Sequence, residues 1–100
     1  MLINLLKGEI TQEEYLINNN ARIIYKKLPK KIYGFINCYR DINIIVINWN
    51  ISKEKKKKTI LHECAHLELH HLDKQRSLFA FSIEDVEDEA DRYIDFLSNN

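Results

Sequence analysis

Residues 59–71 read TILHECAHLELHH and contain all four histidines of the chain. On an α-helix, residues four apart are rotated by about 400°, which leaves them about 40° apart on one face, one turn along. His62 and His66 therefore project together, and both can reach a single zinc ion at about 2.0–2.1 Å. Glu63 lies about 100° round from His62, out of line as a ligand but able to touch a water on such an ion. That is the position of a general base in metal-assisted hydrolysis. Cys64 falls on the far side and reads as a small core residue. Ala65 keeps the helix slim where another element must approach.

Two imidazoles do not complete a hydrolytic zinc site, which takes three protein ligands and one open position. The stretch EDEAD, residues 87–91, puts Glu87 and Asp91 four apart on a common face. Glu87 is the expected third ligand, with Glu84 and Glu89 as nearby competitors. Asp91, one turn on, can accept a hydrogen bond from the outer nitrogen of a ligating histidine and so fix its tautomer. His70 continues the His62–His66 stripe and is grouped with Asp91 as an outer residue of the site. Its plainer role is to interact with the last carbonyls and the dipole of its helix. The plain reading of the carboxylates is a solvated acidic face.

The elements that must hold these residues can be sketched from pattern. Leu2 to Leu6 form a short helix ended at Gly8. Thr11 with Glu14 makes a capping box, opening a helix expected to run to about Leu28, where Pro29 stops it. KIYGFINCYRDINIIVINW is dense in β-branched and aromatic residues and breaks at Arg40-Asp41. It reads as two strands, about 32–39 and 42–49, joined as a hairpin. Ser52 caps a helix from about Lys53 to His71. Residues 72–81 read as irregular, and Ser82 with Asp85 opens a last helix to about Leu97. The expected class is α+β, a single domain over residues 1–100 with helices on one face of a small antiparallel sheet.

These features resemble a gluzincin-type zincin metallopeptidase, in which HExxH is followed by ExxxD on a later helix. More narrowly they resemble the ImmA/IrrE family, which shows a strand pair, a T-x-x-HExxH helix with a trailing histidine, and then E-x-E-A-N/D. Here those positions are Thr59, HECAH, His70 and EDEAD, and the resemblance covers roughly residues 32–97. The family commonly continues F-A-x-x-L-L-x-P, where this chain reads RYIDFLSNN. The resemblance implies a cytosolic zinc endopeptidase, often of phages and integrative elements, that cleaves a partner repressor.

Composition limits the alternatives. With 45% hydrophobic and 30% charged residues, the chain has a globular make-up. Its two cysteines, Cys38 and Cys64, lie in no CxxC pattern, which favours free thiols in a reducing cytoplasm. No apolar run is long enough for a signal peptide or a membrane span. The net charge of zero argues against nucleic acid as a partner. It hides a split, however: residues 1–60 carry twelve Lys/Arg against five Asp/Glu, and residues 61–100 three against ten. The run KEKKKK places cations at the start of a helix, where the dipole disfavours them.

Three function readings follow. The first is a zinc-dependent endopeptidase with Glu63 as base; an edge of the hairpin faces the cleft for strand addition of substrate. Tyr33, Tyr39 and Tyr93 are each able to offer a hydroxyl to an oxyanion. The second is a non-catalytic, zinc-stabilised module that binds a regulatory partner. The third and weakest is a nucleic-acid accessory protein built on the lysine run. The oligomeric state is not legible in the sequence.

Overall fold

The computed structural model describes residues 1–72, 79–83 and 88–99. The order is α1 (Leu2–Leu6), α2 (Gln12–Asn18), β1 (Ala21–Lys26), β2 (Ile32–Tyr39), β3 (Ile42–Asn48), α3 (Lys53–Leu72), β4 (Phe79–Ile83) and α4 (Glu89–Ser98). The architecture is α+β, with a four-stranded sheet in the order β1-β3-β2-β4.

The hairpin forms as its composition dictates. Strands β2 and β3 pair antiparallel, Tyr39 opposite Ile42, and the turn uses Arg40 and Asp41 at φ of +50° and +66°. Two further strands flank it. β4 pairs antiparallel with β2, and β1 runs parallel to β3, so the sheet is mixed rather than purely antiparallel.

The parallel strand marks the main departure from expectation. The Thr11–Glu14 capping box forms, but α2 ends at Asn18 instead of continuing to Leu28. The Asn18-Asn19-Asn20 run stops it: Asn20 takes φ of +51°, a left-handed conformation that Asn tolerates better than most residues. Beyond it, ARIIYK is β-branched and alternating, and enters the sheet as β1. At the other end, Ser82 lies in β4 and gives its hydroxyl to Glu63. α4 instead starts after Asp88, whose side chain accepts from the backbone N–H groups of Ala90 and Asp91. Asp85 lies outside the described residues.

Helix α3 lies across the sheet and is held by buried contacts on nearly every side. Cys64, Ala65 and Leu67 pack with Ile36, Ile45 and Ile47 of the hairpin. Gly34 allows the close approach: a Cβ there would sit 2.5 Å from the Val46 carbonyl oxygen and 3.0 Å from Cγ2 of Thr59. The buried Glu68 of α3 accepts from the Leu2 N–H at 2.7 Å and from the Tyr93 hydroxyl, tying α1 and α4 to the helix. Tyr15 of α2 donates its hydroxyl to the Cys64 carbonyl at 3.3 Å. Among the described residues, no helix is long and apolar enough to cross a membrane.

Candidate metal centre

Two elements build the site. The middle of α3 supplies His62, Glu63 and His66, which are buried or nearly so because this part of the helix lies between the sheet and α4. The start of α4 supplies Asp88 and Asp91. Asp88 does two jobs with its two oxygens. Oδ1 caps the helix, while Oδ2 lies 2.8 Å from Nε2 of His66 and 3.3 Å from Nε2 of His62. Ligand atoms of His62, His66 and Asp88 all fall within 4.8 Å of one another.

This arrangement fits a metal ion. Nδ1 of His62 lies 2.8 Å from Oδ1 of Asp91, so the proton belongs on Nδ1 and the lone pair on Nε2. That Nε2 is buried without a hydrogen-bond partner among the described residues, facing the carboxylate. A bare lone pair turned toward an anionic oxygen is unfavourable unless a cation sits between them. Bonds of about 2.0–2.1 Å in a tetrahedral shell put neighbouring ligand atoms about 3.3 Å apart, which is the His62–Asp88 separation. Solvent approaches from the α4 side, where the Asp88 side chain is 30% exposed against 8% for His62.

Glu63 is fully buried beside this cluster. The Ser82 hydroxyl donates to its Oε1, while Oε2 has no hydrogen-bond partner among the described residues. Burial pushes its carboxyl up to about 8; the charges of Asp88 and Asp91 add to the shift, and the Ser82 hydrogen bond opposes it. Asp88 goes the other way. Burial alone would raise it, but His62 and His66 in their protonated forms, with hydrogen bonds from His66 and the Ala90 N–H, outweigh that and hold it below the usual carboxylate range. Cys64, enclosed in the core and facing the charges of Glu63 and Glu68, is pushed up to about 12 and stays an inert thiol.

A family model, Peptidase M78, described as the IrrE N-terminal-like domain, matches residues 18–93. The chain belongs to the Peptidase M78 family. The match covers the sheet, α3 with its HECAH stretch, and the first turn of α4. No curated protein and no solved structure matches the chain.

In this Peptidase M78 chain the sequence-derived candidates fall as follows. His62, His66, Glu63 and Asp91 come together. Glu87 and Glu84 lie outside the described residues. Glu89 is the first residue of α4, and His70 is half-buried one turn beyond His66, outside the ligand cluster. The three tyrosines do not gather at the site: Tyr93 gives its hydroxyl to Glu68, Tyr33 lines a separate cleft, and Tyr39 stands exposed at the hairpin turn. Nor is a hairpin edge free for substrate, because β1 covers one side and β4 the other. The edge beside Glu63 is β4.

Two residues escaped the sequence reading. Asp88 was hidden between the two carboxylates of the ExxxD spacing, although D-x-x-D is itself a capping-box pattern that places an oriented carboxylate at a helix start. Ser82 read as a helix cap, and only the pairing of β4 with β2 brings its hydroxyl to Glu63.

Proposed function

We propose that the chain is a zinc-dependent endopeptidase with Glu63 as general base, acting on a protein partner such as a repressor of a phage or mobile element. The supporting observation is the convergence of His62, His66 and Asp88 next to a buried carboxylate with one oxygen unpartnered among the described residues. Membership of a peptidase family supports the reaction class. The residues to hold the ion are His62 and His66, each through Nε2, and Asp88 through Oδ2; Glu87 is the alternative carboxylate. When bound, the ion supplies Lewis acidity, polarising the scissile carbonyl and acidifying water.

The chain's own residues do the rest. Asp91 holds the proton on Nδ1 of His62 and keeps its Nε2 free to ligate. Ser82 pins Oε1 of Glu63, so that Oε2 takes the proton of the attacking water and later returns it to the leaving nitrogen. An extended substrate backbone adds to the edge of β4, which among the described residues pairs with β2 alone.

The test joins metal content to hydrolysis. Purified wild type should carry zinc and His62→Ala should not. Glu63→Gln should keep the metal but lose cleavage by about 10²–10⁴-fold. The substrate is sought by co-expression with the repressor-like protein encoded beside it, where a fragment should form with wild type alone. Cleavage by Glu63→Gln at the normal rate would overturn the assignment of the base. If chelation unfolds the protein instead of leaving a folded, inactive chain, the zinc is structural and the non-catalytic binding module is the better reading.

A further inference from the structure

The lysine run at the start of α3 has no part in the hydrolytic site. Residues 21–58 carry eleven Lys/Arg against two Asp/Glu, a concentration that the balanced total conceals. Five of those cations lie among the first six residues of α3, at the positive end of the helix dipole, where they repel one another and the dipole alike. Such an arrangement favours a nearby anion.

The surroundings have the shape and chemistry to take one. A cleft of about 370 Å³ opens beside the start of α3, lined by Lys27, Lys30, Lys55, Tyr33, Asn48 and Ser52 among others. It is a built feature. The buried Asn48 side chain donates to the carbonyls of Leu28, Pro29 and Ile32 and accepts from the Leu28 and Asn50 N–H groups. One residue thus fixes both loops that form the walls.

Aromatic rings stand beside the start of α3. Trp49, the only tryptophan, is 61% exposed, and Tyr25 meets it edge-on at 6.1 Å. Lys56 places its ammonium 4.7 Å from the Trp49 ring and 5.9 Å from that of Tyr25. Lys55 does the same over Tyr33, at 5.3 Å. Register puts Tyr25 in the same cross-strand row as Ser82, at the opposite edge of the sheet, so this surface is separate from the hydrolytic edge. Exposed rings interleaved with lysines match a strand that carries a phosphate and a flat base at every step. An acidic peptide would satisfy the lysines but bring no flat base to the exposed face of Trp49.

We propose that this cleft and the neighbouring Tyr25–Trp49 pair bind single-stranded nucleic acid without sequence preference. The bases stack on Trp49, and the phosphates run past Lys30, Lys55 and Lys56. The inference is independent of the peptidase reading, and either can fail without the other.

The sole tryptophan makes the test direct. Titration of the protein with oligothymidylate of about 12 nucleotides should quench Trp49 fluorescence. With three or four phosphates neutralised, a fourfold rise in salt should weaken binding about 20- to 50-fold. Followed by anisotropy of a labelled strand, Trp49→Ala should weaken binding about fivefold or more. The pair Lys30→Glu and Lys55→Glu together should weaken it about tenfold or more. Lys7→Glu, at the C-cap of α1, should bind nearly as wild type. The proposal is overturned if the strand gives no quench, if Trp49→Ala binds unchanged, or if a polyglutamate peptide or a duplex of equal length competes as well as the single strand.

Discussion

The two halves of α3 are built on opposite terms. From Thr59 to Glu68 the helix is enclosed: Glu63, Cys64, Ala65 and Leu67 have no exposed surface, and even its charged groups are buried. From Lys53 to Lys58 the same helix is almost wholly in solvent, and its charges are of one sign but for Glu54. The buried half bears polar groups at a cost and answers it with partners. Asp91 faces His62, Ser82 faces Glu63, and Tyr93 and Leu2 face Glu68. Groups held in a poorly polarisable setting keep fixed directions and altered proton affinities, which chemistry needs. The exposed half keeps ordinary, water-screened charges, which suit reversible attraction of an anion.

The comparison is broken most severely through the metal. If the buried half is organised around an ion, Asp88→Asn should weaken zinc affinity more than about 100-fold, while Glu87→Gln should do so only if Glu87 is the true ligand. A competition titration with a chromophoric chelator separates the two. Next comes the contact that lets the helix lie on the sheet: Gly34→Ala drives a methyl into the Val46 carbonyl and should cost about 3 kcal/mol in urea unfolding.

The pH dependence sharpens the contrast. Glu63 in the folded chain titrates at about 8, above the 4.5 of an unperturbed carboxyl. Between those values the folded state holds a proton that the unfolded chain has released. Metal-free wild type should therefore lose stability as pH rises through that window, on the order of 3 kcal/mol by pH 8. Glu63→Gln has no such proton, so the difference between the two melting curves should grow from pH 5 to pH 8. The smallest effect belongs to the exposed half. Lys57→Ala should leave the unfolding free energy unchanged or raise it slightly, by at most about 0.5 kcal/mol, because it removes repulsion at the wrong end of a dipole.

The sequence was most legible where a local rule acts alone. The hairpin from Ile32 to Asn48 and the span of α3 follow from β-branched runs, a two-residue turn and a Ser cap. It was least legible where a local signal competed with distant pairing. ARIIYK was absorbed into a helix because Pro29 offered a plausible stop, yet its β-branched residues gain more beside β3 than in an exposed helix. Phe79 to Ile83 likewise carry no turn signals, and pairing with β2 decides their conformation.

By itself, the chain's order of residues determined that His62 and His66 share a face one turn apart, with Glu63 beside them, because helical rotation is a property of the backbone alone. It also determined that positive and negative charge would separate along the chain. Which carboxylate meets those histidines, which hydroxyl reaches Glu63 and which strand borders the site were decided only by tertiary structure. Each depends on how α4 and β4 dock against α3, and docking is settled by packing and buried hydrogen bonds between residues far apart in sequence, for which no local period exists.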